Sequence, residues 1–139
     1  MNKTRNETID YINSCQNCYC AVLDACNRPE VIFVKETRVF GNMVAIVIED
    51  EQKSLFGSGV TNVAFTIWRK LEGYQLKGRI AAEAEKIAFS HEIEQFKATL
   101  ADSKTDMSSR SIILCKIQDI YSVTPGNRAG DLLFPDNQS

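Results

Sequence analysis

Apolar and polar positions along this chain mostly alternate in short runs, and only two stretches carry helical spacing instead. Near the start, Thr4-Arg5-Asn6-Glu7 has the form of a capping box, in which Thr4 and Glu7 satisfy each other's backbone N–H groups. Ile9, Ile12 and Cys15 or Gln16 then mark one face of a short helix. From residue 19 the period changes. Residues 19–23 are a compact apolar run, 24–29 carry turn residues, and Pro29 suits the edge of a strand, where its missing N–H does no harm. Residues 31–34, ending at Lys35, and residues 43–48 are rich in β-branched side chains, and residues 38–42 read as their connection, with Gly41-Asn42 as the turn.

Residues 51–59 are polar at first, then carry Leu55-Phe56 and two glycines, which predicts one or two helical turns and a loop. Residues 62–68 are again strand-like, residues 74–80 alternate with period two, and Glu72-Gly73 is the expected hairpin turn between them. Phe89, Ile93, Phe96 and Leu100 fall on one face of a late helix within residues 81–100. Residues 101–110 form a polar loop, and residues 111–117 a last strand that continues through Ile120 and Tyr121. Six strands with a terminal and a late helix predict a mainly β fold: an antiparallel barrel with appended helices. Alternating βαβ units are missing, which disfavours a doubly wound sheet.

The 139 residues fit one domain without an internal boundary, and 44% apolar with 24% charged residues is ordinary for a globular chain. A net charge of −2 and a pI near 5.4, with lysines and arginines scattered singly or in pairs, argue against nucleic acid as a partner. The apolar runs are too short to span a bilayer, and no apolar segment follows the charged residues 1–8, so a cytoplasmic protein without a leader is expected. Cys15, Cys18, Cys20, Cys26 and Cys115 are an odd number outside a secretory context, and their spacing matches no common zinc pattern. Core packing or free thiols is the expectation for them, with no metal site. His91 is the single histidine and lies off the apolar stripe of its helix, so exposure is expected. Trp68 and Tyr74 are expected in the core or an interface.

The candidate chemistry is a cation beside a hydroxyl just past a strand end, Lys53-Ser54. A phosphate group carries about 1.5 to 2 negative charges and needs Lys or Arg with hydroxyl or N–H donors. Lys53, Ser54 and the N–H groups opening a short helix at residues 52–56 can supply these. The bland alternative is a solvated loop with an ordinary cap.

In order along the chain, Arg28-Pro29 enters the second strand, that strand ends at Lys35, and Lys53-Ser54 follows the third. The strand at residues 74–78 comes next, and Tyr121 precedes Pro125-Gly126 and Ala129-Gly130. This series resembles the pyridoxamine 5'-phosphate oxidase-like family of FMN-binding split β-barrels, over about residues 9–133. The resemblance implies a Greek-key split barrel that forms a homodimer, with FMN in the cleft between subunits. It implies that Lys53 and Ser54 hold the phosphate and that Lys35 lies near the ring or phosphate. Backbone groups at Val47 and Ile48 would face the ring edge, and Gln75 would come from the partner subunit. Two positions depart from the family: Gln52 stands where a second phosphate cation is expected, and Glu30 where true oxidases carry an arginine. Residues 131–135 also lack the arginine-rich end of an authentic pyridoxamine phosphate oxidase.

No residue has to be a catalytic acid or base, which suits hydride transfer, in which the cofactor carries most of the chemistry. The readings left open are an FMN-dependent oxidoreductase, a non-catalytic FMN or haem carrier or electron-transfer protein, and a barrel that has lost its cofactor. Arg128 is either an anion contact or a surface charge.

Overall fold

The computed structural model describes residues 4–15, 17–23, 28–57, 62–124 and 130–134. The capping box forms as read: Thr4 N–H donates to Glu7 Oε1 (3.0 Å) and Glu7 N–H donates to Thr4 Oγ1 (3.1 Å), opening α1, Arg5–Ser14. Ile9 and Ile12 are the buried apolar face of this helix. The Tyr11 hydroxyl donates to the Arg69 carbonyl at 2.8 Å, which ties the helix to a hairpin nearly sixty residues away.

Among the described residues there are eight strands rather than six: β1 Asn17–Leu23, β2 Pro29–Phe33, β3 Glu36–Phe40, β4 Met43–Glu49, β5 Asn62–Arg69, β6 Glu72–Ile80, β7 Arg110–Ser122 and β8 Leu132–Leu133. The segment expected to connect two strands, residues 38–42, is largely β3. Its sequence hid it, because only Val39 is buried there and the other positions are half-exposed, two of them charged. Gly41 does turn the chain, at φ 59° in the left-handed region that glycine adopts freely. The second predicted turn moves by two residues. Arg69 pairs with Glu72, so Lys70-Leu71 makes the hairpin (Lys70 at φ 56°) and Gly73 lies inside β6.

All pairings are antiparallel, in the order β2-β1-β5-β6-β7-β4-β3, with β8 beside β7. The two outermost strands of that order, β2 and β3, are joined by only Val34 and Lys35. The three Cα–Cα steps from Phe33 to Glu36 reach at most about 10 Å, so the sheet has to curl until its edges meet at this corner. The result is a split β-barrel, closed there and open elsewhere. Val34 N–H donates to the Cys18 carbonyl (2.9 Å) and holds the corner against β1.

β4 shows why its sequence is apolar without alternation. Val44, Ile46 and Ile48 point into the barrel with Phe65, Ile67 and Leu76, while Met43, Ala45 and Val47 are covered from outside by Phe96 and Leu100 of α3, Ser90–Asp102. A strand buried on both faces reads as a continuous run. The late helix is two helices, α2 Glu83–Ala88 and α3, which meet at Phe89. Among the described residues, no helix is long and apolar enough to cross a membrane.

Candidate functional site

The first chemical feature grows from the end of β4. The chain passes into a 3₁₀ helix, Asp50–Phe56, whose Phe56 is buried and whose Leu55 packs on the barrel core. That anchoring leaves Lys53 and Ser54 exposed. The carboxylates just ahead of them are engaged elsewhere. Glu49 Oε1 accepts from Arg110 Nε at 3.1 Å, and Asp50 accepts from the Ser111 hydroxyl. Gln52 is committed too, its Oε1 accepting the Glu49 N–H (3.1 Å). The helix opens at Asp50 rather than near 52, and Asp50 and Glu51 occupy its first turn. Side chains, not bare N–H groups, are therefore what this turn offers an anion.

Lys35 lies at the β2–β3 corner and is exposed. The β3–β4 register ends at Glu36–Val47, and carrying it one residue further sets Lys35 beside Ile48, at the end of β4 from which the 3₁₀ helix leaves. Neither Lys35 nor Lys53 has an ion-pair partner among the described residues. Val47 has its side chain buried under α3, and Ile48 has its side chain inside the barrel. Only backbone of these two residues can face a ligand.

Gln75 sits elsewhere. Register puts Phe33, Tyr19, Thr66, Gln75, Tyr121 and Leu132 in one row across six strands. Tyr19 and Phe33 are 44% and 52% exposed, large values for aromatic side chains in mid-strand, and Val31 beside them reaches 64%. Trp68 stacks on Tyr19 (centroids 5.5 Å apart, planes at 16°), and the Lys77 ammonium lies 4.9 Å from the Tyr121 ring centre. Both helical covers lie elsewhere, so this face is open among the described residues. Three strand spacings along the sheet separate β2 from β6, about 14 Å, so Gln75 lies away from the Lys35 corner of its own chain.

A third feature is a cavity of about 440 Å³ beside the β2–β3 corner, between the C-terminal turn of α1 and that of α3. Lys35, Glu36, Thr37 and Arg38 form one wall, while Ile67 and Phe96 make apolar parts of the others. Thr37 Oγ1 is buried without a hydrogen-bond partner of standard geometry. Its polar neighbour is Cys18, whose thiol burial pushes up to about 11, with the Thr37 hydroxyl offsetting part of that push. Arg38 and Thr37 were missed by sequence reading because the strand that carries them was read as a connector.

Of the remaining expectations, His91 is exposed on α3 and Tyr74 is buried, with its hydroxyl donating to the Glu72 carboxylate. Trp68 is half-buried on the open face. Cys18, Cys20 and Cys115 are buried free thiols and Cys15 is half-buried. Burial pushes Cys115 up to about 12, so this thiol stays protonated and inert at neutral pH. Among the described residues no group of three or more His, Cys, Asp or Glu is placed to hold a metal ion. Glu30 is exposed on β2. Cys26, Pro125, Gly126, Arg128 and Ala129 lie outside the described residues.

No protein-family model and no curated protein sequence matches the chain. Solved structures do. HupZ of Group A Streptococcus matches with TM-score 0.62 at 16% identity, over 92% of this chain and 100% of that one. An FMN-binding protein from Syntrophomonas wolfei matches with TM-score 0.60 at 13% identity, over 88% and 90%. HutZ, the haem storage protein of Vibrio cholerae, matches with TM-score 0.54 at 12% identity, over 87% and 95%. Candidate pyridoxamine 5'-phosphate oxidases share the fold as well. At these identities the likeness is one of fold, and the chain has the split β-barrel fold that these structures share.

Proposed function

We propose that this chain is a flavin-binding protein that holds FMN between two copies of itself and serves as an oxidoreductase. The observation that carries the reading is the pair Lys35 and Lys53. Both are exposed at one end of β4 without ion-pair partners among the described residues, while the nearby Glu49 is held by Arg110. A corner with two uncommitted ammonium groups and the Ser54 hydroxyl fits a phosphate monoester. Gln52 adds no charge, so the corner supplies two cations where the family pattern implies three. When bound, FMN supplies hydride and single-electron chemistry that side chains lack. The chain's own part is to hold the phosphate, present backbone at Val47 and Ile48 to the ring edge, and close the cleft.

The second copy enters through Gln75. It lies three strands from the corner, about 14 Å along the sheet, on an open aromatic face that suits the docking of a second copy. The likeness to an FMN-binding split barrel supports the same cofactor, while the likeness to HutZ supports haem as the alternative occupant.

Reconstitution tests the reading. Added FMN is expected to remain with the protein through gel filtration and to show a flavin spectrum. Lys53→Ala is expected to weaken it by about 10- to 100-fold, the value of a charge-assisted hydrogen bond of roughly 1.5–3 kcal/mol. Unchanged affinity in that variant would remove the phosphate assignment, and a Soret band after haem addition with no FMN retention would favour the alternative. Bleaching of the bound flavin by NADH or NADPH with turnover of a quinone separates an enzyme from a carrier.

A further inference from the structure

The cavity at the β2–β3 corner shares Lys35 with the proposed cofactor site but is otherwise built from different residues. Its charged groups are Lys35, Arg38 and Glu36, and no ion pair or hydrogen bond engages the Arg38 guanidinium among the described residues. Its five N–H donors lie beside a cavity of about 440 Å³, and the described residues supply no acceptor for them. The Thr37 hydroxyl next to Arg38 in β3 is buried and faces the Cys18 thiol. Ile67 and Phe96 give the cavity apolar wall, and the volume lies in the range of small-molecule sites, roughly 300–1,000 Å³.

We propose that this cavity binds a small organic monocarboxylate with an apolar body. Charge selects the class. Two cations and one carboxylate leave a net charge of +1, which matches a carboxylate, whereas a phosphate monoester carries about −1.5 to −2. The Arg38 fork takes the carboxylate oxygens side by side, and the body of the ligand lies against Phe96, which belongs to the cluster on the same face of the sheet as Arg38. Cys18 contributes no charge, because its thiol is protonated. Binding of such a ligand does not depend on a flavin.

The test uses the colourless, FMN-free protein and a matched pair of probes, 1-naphthylacetate and its neutral amide, with binding read by the naphthyl fluorescence. The acid is expected to bind at least tenfold more tightly than the amide. Arg38→Gln is expected to weaken the acid at least tenfold while leaving the melting temperature and the amide's affinity unchanged. Lys53→Ala is expected to leave the acid's affinity as it was, which separates this site from the phosphate corner. Equal affinity for acid and amide, no binding of either at millimolar concentration, or an Arg38→Gln variant that binds the acid normally each overturns the proposal. Retention or loss of FMN bears on the flavin reading alone.

Discussion

Glu85 is the residue at which three elements are tied together. Its carboxylate pairs with both terminal nitrogens of Arg79 on β6 at 2.8 Å each, lies 3.5 Å from Lys116 on β7, and accepts the Ala82 N–H at the start of α2. The Arg79 hydrogen bonds, followed by the Ala82 N–H, lower its pKa to about 2. A carboxylate depressed in the folded state adds stability that is present above its unfolded value, about 4.3 for Glu, and is lost as pH falls through the folded one. Glu85→Gln is therefore expected to lower the melting temperature by about 3–5 °C at pH 7, or roughly 1 kcal/mol for a partly exposed network. The gap between variant and parent should shrink as pH falls from about 4.5 toward 2. Thermal melts at four or five pH values check this, and a gap that stays constant to pH 2 would show that the pair is not what stabilises the junction.

Residues that act locally were legible in the sequence, and residues that act through topology were not. Thr4 and Glu7 meet three positions apart, so their box could be read directly. Arg38 faces its cavity only because β3 forms, and Lys116 reaches Glu85 only because β7 lies beside β6.

At the scale of elements, the sharpest constraint is where β6 crosses β7. Lys77 pairs with Asp119 and Gly78 with Ile117, so Gln118 is the extra residue of a bulge. A Cβ on Gly78 would fall 1.8 Å from the Lys116 carbonyl oxygen, which is backbone and cannot swing aside. Gly73, opposite Trp68, is tight but not closed, with side-chain atoms of Trp68 and Val123 at 3.0 and 3.1 Å. Gly78→Ala is expected to cost about 3 kcal/mol or more, and Gly73→Ala about 1 kcal/mol. Chemical denaturation gives both values, and the reverse order would sink the argument. Gly78 lay in the period-two stretch and Gly73 at the expected hairpin turn, and only long-range pairing shows what crowds them. The late helices teach the same lesson. The 89/93/96/100 stripe marks α3 because Phe96 and Leu100 bury there, whereas α2 has no buried residue and left no periodic signal.

For the whole molecule, the question is what covers the outer face of β1, β2, β5 and β6. The barrel curls because its edges meet at Val34-Lys35, and the helices go to the barrel end and to the outside of β4. Tyr19, Val31, Phe33 and Trp68 are left as a contiguous apolar patch with Lys77 and Gln75 at its margin. Such a patch marks an interaction surface more often than a solvated one, and in the proposed reading a second copy is its occupant. Placing a charge at its centre is the direct check. Phe33→Asp should shift the dimer–monomer equilibrium by at least 100-fold, since an unpaired carboxylate in a packed interface costs about 3 kcal/mol or more. Phe33 is half-exposed in the single chain, so the isolated barrel should keep its fold and its circular dichroism spectrum. FMN retention should fall with the loss of dimer even though Lys35, Lys53 and Ser54 are untouched. Light scattering after gel filtration, run with and without FMN, reads both outcomes at once. A monomeric variant that still retains the flavin would confine the cofactor to one chain and leave Gln75 without a role.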